Sequence, residues 1–145
     1  MTICQEKTKN MISEAIFDSG IFIGAKLEGD QYNLQASEIL ESFMHDNISR
    51  VFITPYVVAE CVNFILKKSV FQKANEALIY LTETDNIEII KIELDNIKSI
   101  FQKYKTLSLT DCSLVALSEK LKIRKIFSFD GHFDLVKGIT RLTSI

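Results

Sequence analysis

The chain has 145 residues, 47% of them hydrophobic and 25% charged, and a formal net charge of −2. This length suits one compact domain, and the composition is that of an ordinary globular protein rather than a disordered segment. No apolar run approaches the roughly 20 residues that cross a bilayer. The first ten residues lack the apolar region of a signal peptide. The slight net negative charge counts against strong nonspecific binding of nucleic acid. We therefore expect a cytoplasmic protein.

The cysteine pattern argues against a zinc site. Cys4, Cys61 and Cys112 are widely spaced, they form no C-x-x-C pair, and the chain has only two histidines. Reduced thiols are the expected state of such cysteines in a cytoplasmic protein.

Short apolar stretches rich in Ile, Val and Phe alternate with helical patterns along the chain. We interpret residues 1–11 as a loose N-terminal extension and residues 12–145 as a single domain. The predicted strands are Glu14–Phe17, Arg50–Thr54, Ile87–Ile92, Lys125–Phe129 and Ile139–Leu142. The predicted helices are Asn33–Met44, Tyr56–Leu66, Phe71–Leu81, Leu94–Tyr104 and Asp111–Leu121. This alternation predicts an α/β domain in which a mostly parallel sheet lies between helical layers.

Two aspartates directly follow predicted strands. Asp18 comes after the apolar run Ala15-Ile16-Phe17, and Asp130 comes after Ile126–Phe129 and just before Gly131. Either could be a plain turn residue, because Asp close before Gly is a common turn signal. An α/β sheet, however, binds its ligands beyond the carboxyl ends of its strands. Two acids at equivalent strand ends therefore favour a shared site.

Two further acids lie on predicted helices. Asp111 precedes Leu114 by three residues, so the helical period places it inside the apolar stripe of its helix. It could instead complement the helix dipole from the first turn, with Ser108 or Thr110 as cap, but that role requires no inward face. An inward, unpaired carboxylate is costly unless a cation meets it. Glu60 falls at the margin of its own helix's apolar stripe, where a solvated glutamate is equally ordinary.

Four acids on four elements predict a site for a hard cation. Mg²⁺ and Mn²⁺ prefer oxygen ligands, commonly a few carboxylates together with waters and substrate phosphates. Phosphate-ester chemistry is therefore expected. Basic clusters at residues 67–73, 98–105 and 120–125 would suit a phosphate track, although each also fits a solvated helix face.

In these residues and their surroundings the sequence resembles the PIN-domain family, and within it the VapC-type toxins and their archaeal relatives. The resemblance runs from about Glu14 to Leu142, nearly the whole chain. No single motif is specific, whereas the order and spacing of all of them are. The motifs are Phe17-Asp18-Ser19, Asp30–Leu40, Ile53-Thr54-Pro55 leading to Ala59-Glu60, Leu107–Asp111 and Phe127–Phe133.

The resemblance implies a three-layer α/β/α fold and Mg²⁺- or Mn²⁺-dependent cleavage of RNA, in which metal polarises a phosphate and activates water for in-line attack. It implies that Asp18, Asp111 and Asp130 bind the metal, and that Glu60 completes the cluster on a metal or by positioning its water. Ser19 and Ser128 would support these carboxylates. It also implies a small antitoxin partner and a homodimer, which no residue here shows. Processing of ribosomal RNA is the competing role within the same chemistry.

Three features depart from the family pattern. Gly20 stands where the family often has a hydroxyl residue, Asn33 stands where it often has histidine, and the N-terminal decapeptide is unlike the usual short start. The Gly20 departure puts the support of Asp18 in question.

Other α/β classes fit the sequence less well. A HAD-type phosphatase needs a second Asp at position 20, and a dinucleotide-binding fold needs a G-x-G-x-x-G turn that Ser19–Gly24 does not supply. A receiver-like domain needs an acid after a middle strand, where Thr54 stands. A non-catalytic PIN module that binds RNA or a partner protein remains the main alternative.

Overall fold

The structure, a computed structural model, describes residues 11–145 of the chain. In this part of the chain five strands form one sheet in the order β3-β2-β1-β4-β5, and every pairing is parallel. The strands are β1 (Ile12–Phe17), β2 (Ile48–Ile53), β3 (Ile87–Ile89), β4 (Lys125–Phe127) and β5 (Thr140–Leu142). The predicted α/β fold with a short parallel sheet is confirmed.

Six α-helices of residues 11–145 flank the sheet and complete the three-layer α/β/α arrangement. They are α1 (Ser19–Lys26), α2 (Asn33–Met44), α3 (Pro55–Lys68), α4 (Phe71–Glu83), α5 (Leu94–Tyr104) and α6 (Leu109–Leu121), and a short 3₁₀ helix spans Gly131–Leu135. None of these helices is long and apolar enough to cross a membrane.

The carboxyl-terminal halves of β1 and β2 are buried on both faces, which explains why these halves are continuously apolar. Ala15, Ile16 and Phe17 of β1 have no exposed surface, and the Phe17 ring packs edge-on against Phe127 of β4 at a centroid distance of 5.2 Å. Phe17 and Phe127 are also register partners in the sheet. This pairing brings the ends of β1 and β4 side by side, and the candidate site lies just beyond them.

Two predicted strands were too long, and one helix was missed. β3 ends at Ile89 rather than Ile92, and β4 ends at Phe127 rather than Phe129, because the chain turns at Ser128 toward the 3₁₀ helix. Helix α1 showed no helical period because three consecutive residues of it, Ile21–Ile23, are all buried. Hydrophobic alternation cannot reveal a helix that is covered on several sides.

Two remaining expectations concern the chain's beginning and its thiols. The predicted loose extension at residues 1–11 falls, apart from Met11, outside the described residues, as does Cys4, so both expectations remain predictions. Cys61 and Cys112 are buried free thiols.

Candidate active site

The four predicted acids lie around one pocket of about 500 Å³ beyond the carboxyl ends of the strands. Each comes from a different place in the fold. Asp18 caps α1 directly after β1, Glu60 lies on α3, Asp111 lies in the first turn of α6, and Asp130 caps the 3₁₀ helix after β4. The sheet therefore gathers acids that are up to 112 residues apart in the sequence.

Asp18 is held from both sides at the floor of the pocket. It is 6% exposed, its Oδ1 accepts a hydrogen bond from the backbone N–H of Ser19 (2.7 Å), and its Oδ2 accepts one from the Ser128 hydroxyl (2.6 Å). Burial raises the pKa of Asp18 to about 6, and the negative charges of Glu60 and Asp130 add to the rise, although both hydrogen bonds oppose it. The fold thus keeps a carboxylate where it is costly to ionise.

Asp111 faces inward, as the helical period predicts. It is 6% exposed, and the side chain of Ser108 caps the helix by accepting a hydrogen bond from the Asp111 backbone N–H (3.1 Å). Burial raises the pKa of Asp111 to about 7, with further increases from the charges of Asp18 and Asp130, against a lowering by Ser108. A carboxylate at a helix N-terminus should be favoured by the helix dipole. Burial and the surrounding negative charge, which raise the pKa, act against this benefit.

Glu60 and Asp130 form the more exposed half of the cluster. Glu60 is half-buried at the margin predicted for it, and its Oε2 accepts a hydrogen bond from the Ser19 hydroxyl (2.7 Å). The Oδ1 of Asp130 accepts a hydrogen bond from the backbone N–H of His132 (2.9 Å) and lies 3.0 Å from Nδ1 of the same histidine. Both acids have an ordinary local explanation, so their shared position around the pocket carries the functional argument.

Two serines connect the acids in pairs. The Ser19 hydroxyl donates to Glu60 and lies 3.4 Å from Asp18 Oδ1, while the Ser128 hydroxyl donates to Asp18 and accepts from the backbone N–H of Asp130 (3.0 Å). The support of Asp18 that Gly20 put in question is therefore supplied by these two residues. The other departure, Asn33, has a structural role, because its side-chain amide donates to the carbonyl of Gly24 (2.9 Å).

Several pocket residues received no role from the sequence. They are Asp30, Tyr32, Thr106, Phe129 and His132. Four of them fall inside the motifs that carry the PIN resemblance, which was the available signal. Periodicity could not have found them because they lie in loops, at a helix cap or in the short 3₁₀ helix, where no repeat long enough to detect is present.

The pocket suits a divalent cation by its chemistry. Among the described residues that line it there is no Lys or Arg, while five carboxylates do so, the four predicted acids and Asp30, and two of these five have raised pKa values. Residues 11–145 nevertheless contain no group of three His, Cys, Asp or Glu side chains already arranged to hold a metal ion. The reason is visible in the hydrogen bonds, because Asp18, Glu60 and Asp130 each direct an oxygen toward a protein donor. Oxygen donors and uncompensated charge fit Mg²⁺ or Mn²⁺, which would draw these side chains together.

Known proteins share this architecture. No curated protein sequence matches the chain significantly. Among the solved structures that resemble it is VapC20 of Mycobacterium tuberculosis, a Sarcin-Ricin loop cleaving toxin, with 14% identity and a TM-score of 0.70 over 83% of this chain and 93% of that one. A toxin-antitoxin complex from Klebsiella pneumoniae has 21% identity and a TM-score of 0.62 over 90% of this chain and 99% of that one. VapBC2 from Rickettsia felis, bound to a DNA fragment from their promoter, has 13% identity and a TM-score of 0.65 over 89% of this chain and 97% of that one. At these identities the likeness shows the fold alone. A family model described as PIN domain matches residues 15–139, most of the 145-residue chain, and the protein therefore belongs to the PIN domain family.

Proposed function

We propose that this protein is a cytoplasmic endoribonuclease that hydrolyses RNA phosphodiesters with Mg²⁺ or Mn²⁺ held by four carboxylates. In this proposal Asp18, Asp111 and Asp130 bind the metal, and Glu60 completes the cluster. One observation carries it. Four acids from four separate elements line a single pocket, and no Lys or Arg lines that pocket among the described residues. A purely structural explanation would have to account separately for each of these acids.

In this proposal the residues of the pocket have two roles, to hold the metal and to make RNA binding depend on it. Ser19 and Ser128 hold Asp18 and Glu60 at the pocket by hydrogen bonds, and a cation that enters would draw these carboxylates together. The bound ion would polarise a phosphate and lower the pKa of its bound water, which would supply a hydroxide nucleophile near neutral pH. Without a cation, the acidic lining repels a phosphate, so RNA binding in the pocket should itself depend on metal.

Three exposed lysines come shortly before a pocket residue in the sequence. The basic cluster at residues 98–105 ends directly before Thr106, which lines the pocket. Lys122 and Arg124, from the cluster at 120–125, line a separate groove together with Lys137. We assign the phosphate track to residues 98–105, whose exposed lysines Lys98, Lys103 and Lys105 can meet the RNA backbone.

The biological role that we propose is that of a VapC-like toxin, with residues 12–145 acting as one domain. Such a protein would be controlled by a small antitoxin, as the toxin-antitoxin complex and VapBC2 suggest. We also propose a homodimer, on the family resemblance alone. VapC20 is described as cleaving the Sarcin-Ricin loop, so a ribosomal RNA loop belongs among the substrates to be assayed. A module that binds RNA or a partner without cutting is the second candidate. The absence of a preformed metal cage in residues 11–145 favours it.

A cleavage assay separates the two candidates. A mixed RNA pool and a ribosomal RNA stem-loop are incubated with the parent protein in Mn²⁺ or in EDTA. Asp18→Asn removes a pocket charge at nearly constant volume, and Glu119→Gln removes an exposed charge from α6 as the matched control. We expect cleavage by the parent and by Glu119→Gln in Mn²⁺ only, with a loss of at least about 100-fold in Asp18→Asn. RNA that is bound but not cut by the parent would favour the non-catalytic module.

A further inference from the structure

Two aromatic rings form a parallel stack in the wall of the acidic pocket. Tyr32 and Phe129 lie with their ring centroids 4.3 Å apart and their planes within 5° of parallel. Both line the pocket beside Asp18 and Asp130, and both are only half-buried. Neither ring contacts the aromatic cluster around Phe17. Phe129 packs against the edge of the hydrophobic core, whereas Tyr32 does not, so core packing accounts for one ring and not for the stack.

The backbone holds both rings in place. The backbone N–H of Tyr32 donates to Oδ1 of Asp30 (2.8 Å), and its carbonyl accepts from Ala36 in the first turn of α2 (2.8 Å). Phe129 lies between Ser128, which is fully buried, and Asp130, whose backbone N–H donates to the Ser128 hydroxyl. A base that stacks on this pair meets a surface that is already ordered, which lowers the entropic cost of binding.

Gly20 leaves the flank of the stack open. A methyl group at this position would lie 3.7 Å from Cδ2 of Phe129 and would meet no other atom within 4 Å outside its chain neighbours and its own helix turn. The absence of a side chain on α1 therefore keeps a space between the acids and the ring. Gly20 is one of the three features that depart from the usual PIN pattern.

The charges of this wall select the kind of group that can occupy it. Asp30 accepts a hydrogen bond from the backbone N–H of Tyr32, and Asp18 and Asp130 line the same pocket as the rings. A phosphate would be repelled by these acids, whereas an uncharged nucleobase offers a flat face to the rings and donors to a carboxylate. The wall thus matches the base of a nucleotide, and the acidic floor matches its metal-bridged phosphate.

We propose that Tyr32, Phe129 and Gly20 form a subsite that stacks one unpaired nucleobase of the RNA next to the scissile phosphate. This inference rests on the proposed ribonuclease function and adds a residue-level determinant of where the RNA is cut. Base-on-aromatic stacking tolerates any base, so the subsite selects unpaired nucleotides over helical RNA rather than one sequence.

Ring removal provides the first test. Phe129→Leu and Tyr32→Leu keep an apolar side chain but remove the flat face, and Phe71→Leu, at the exposed start of α4, is the matched control. Affinity for a fluorescent single-stranded RNA is measured by anisotropy in Mn²⁺, and steady-state cleavage is measured in parallel. We expect the two pocket variants to weaken binding and raise KM by about 5- to 150-fold, the range found when a stacking residue is truncated. Phe71→Leu should match the parent.

Gly20→Val separates the subsite from folding. Gly20 lies in a helix and needs no positive φ, so a side chain there should leave the melting temperature unchanged or higher. It would occupy the space beside Phe129 and weaken RNA binding. A variant that is fully folded yet binds RNA less tightly cannot be explained by general destabilisation.

An RNA with a single abasic nucleotide completes the test. With the parent, moving the abasic site along the strand should identify one position, adjacent to the cut, at which affinity falls. With Phe129→Leu the same abasic site should cause no additional loss, because the partner ring is already missing. If the parent binds and cuts RNA while both ring variants keep its affinity, the stacking subsite is wrong and the ribonuclease proposal stands. If the parent neither binds nor cuts any RNA, both proposals are wrong.

Discussion

Neutralising Asp111 should stabilise the metal-free protein, although it removes a residue that we place in the active site. Burial and the charges of Asp18 and Asp130 raise the pKa of Asp111 from an ordinary 3.8 to about 7. A rise of this size corresponds to about 4 kcal/mol for ionising the carboxyl in the folded protein, at ~1.4 kcal/mol per pKa unit. Water at the pocket mouth and relaxation of the neighbouring acids reduce this figure, so we expect Asp111→Asn to gain about 2 kcal/mol at pH 8.

The gain must depend on pH in a defined direction. Because the folded-state pKa lies above that of the unfolded chain, the folded protein holds a proton between about pH 4 and 7 that the unfolded chain has lost. The parent therefore loses stability as pH rises through this window, and the loss is complete above pH 7. Asparagine does not titrate, so its advantage should be largest at pH 8 and less than half as large at pH 5.

Thermal melts in EDTA at pH 5 and pH 8 measure this effect. About 2 kcal/mol corresponds to a rise of roughly 6 °C in Tm for a chain of this size. Glu119→Gln neutralises an exposed acid on the same helix and should show no comparable pH-dependent gain. If Asp111→Asn melts below the parent at pH 8, or gains equally at both pH values, then Asp111 is a structural residue and the electrostatic reasoning is wrong.

Three further predictions follow from the same geometry. Millimolar Mn²⁺ or Mg²⁺ should raise the Tm of the parent more than that of Asp18→Asn, and stabilisation by Zn²⁺ alone would contradict the proposed ligand set. Sequencing of cleaved RNA should show 5′-phosphate and 3′-hydroxyl ends, because water is the nucleophile, whereas 2′,3′-cyclic phosphates would require attack by the RNA itself. Ser128→Ala removes the hydroxyl that donates to Asp18 and should raise the Asp18 pKa above about 6, which moves the corresponding step of the pH–stability profile measured in EDTA to higher pH. Ser113→Ala removes a buried hydroxyl that pairs with Thr54 outside the pocket, and it should leave that profile in place.

The sequence predicted the parts of the fold that are set by local pattern. Buried parallel strands are continuous apolar runs, so β1 and β2 were placed to within two residues, and the helices with one solvated face were found as well. Helix α1 was missed because its apolar residues are consecutive, so it has no solvated face to create a period. The end of β4 was misplaced because Ser128, at the turn, donates a hydrogen bond to Asp18, which is 110 residues away in the sequence.

The candidate site was predictable to a different degree for each residue. Strand ends identified Asp18 and Asp130, and an inward helical position identified Asp111, because each of these signals is local. Glu60 gave no clear local signal, since its place at the pocket depends on how α3 packs against α1 and on its contact with Ser19. The Tyr32–Phe129 stack could not be predicted, because two loop residues 97 positions apart meet only in the folded chain.

The central claim is that the four acids form a metal site, and a Mn²⁺-soaked crystal tests it most directly. Anomalous diffraction at a wavelength near the manganese absorption edge locates the ion without any assumption about activity. We predict a peak in the acidic pocket, about 2.0–2.3 Å from carboxylate oxygens of Asp18, Asp111 and Asp130, with Glu60 bound directly or through one water. Asp111→Asn should weaken or abolish this peak. A pocket that stays empty at saturating Mn²⁺, or a peak bound only by residues outside it, would contradict the account.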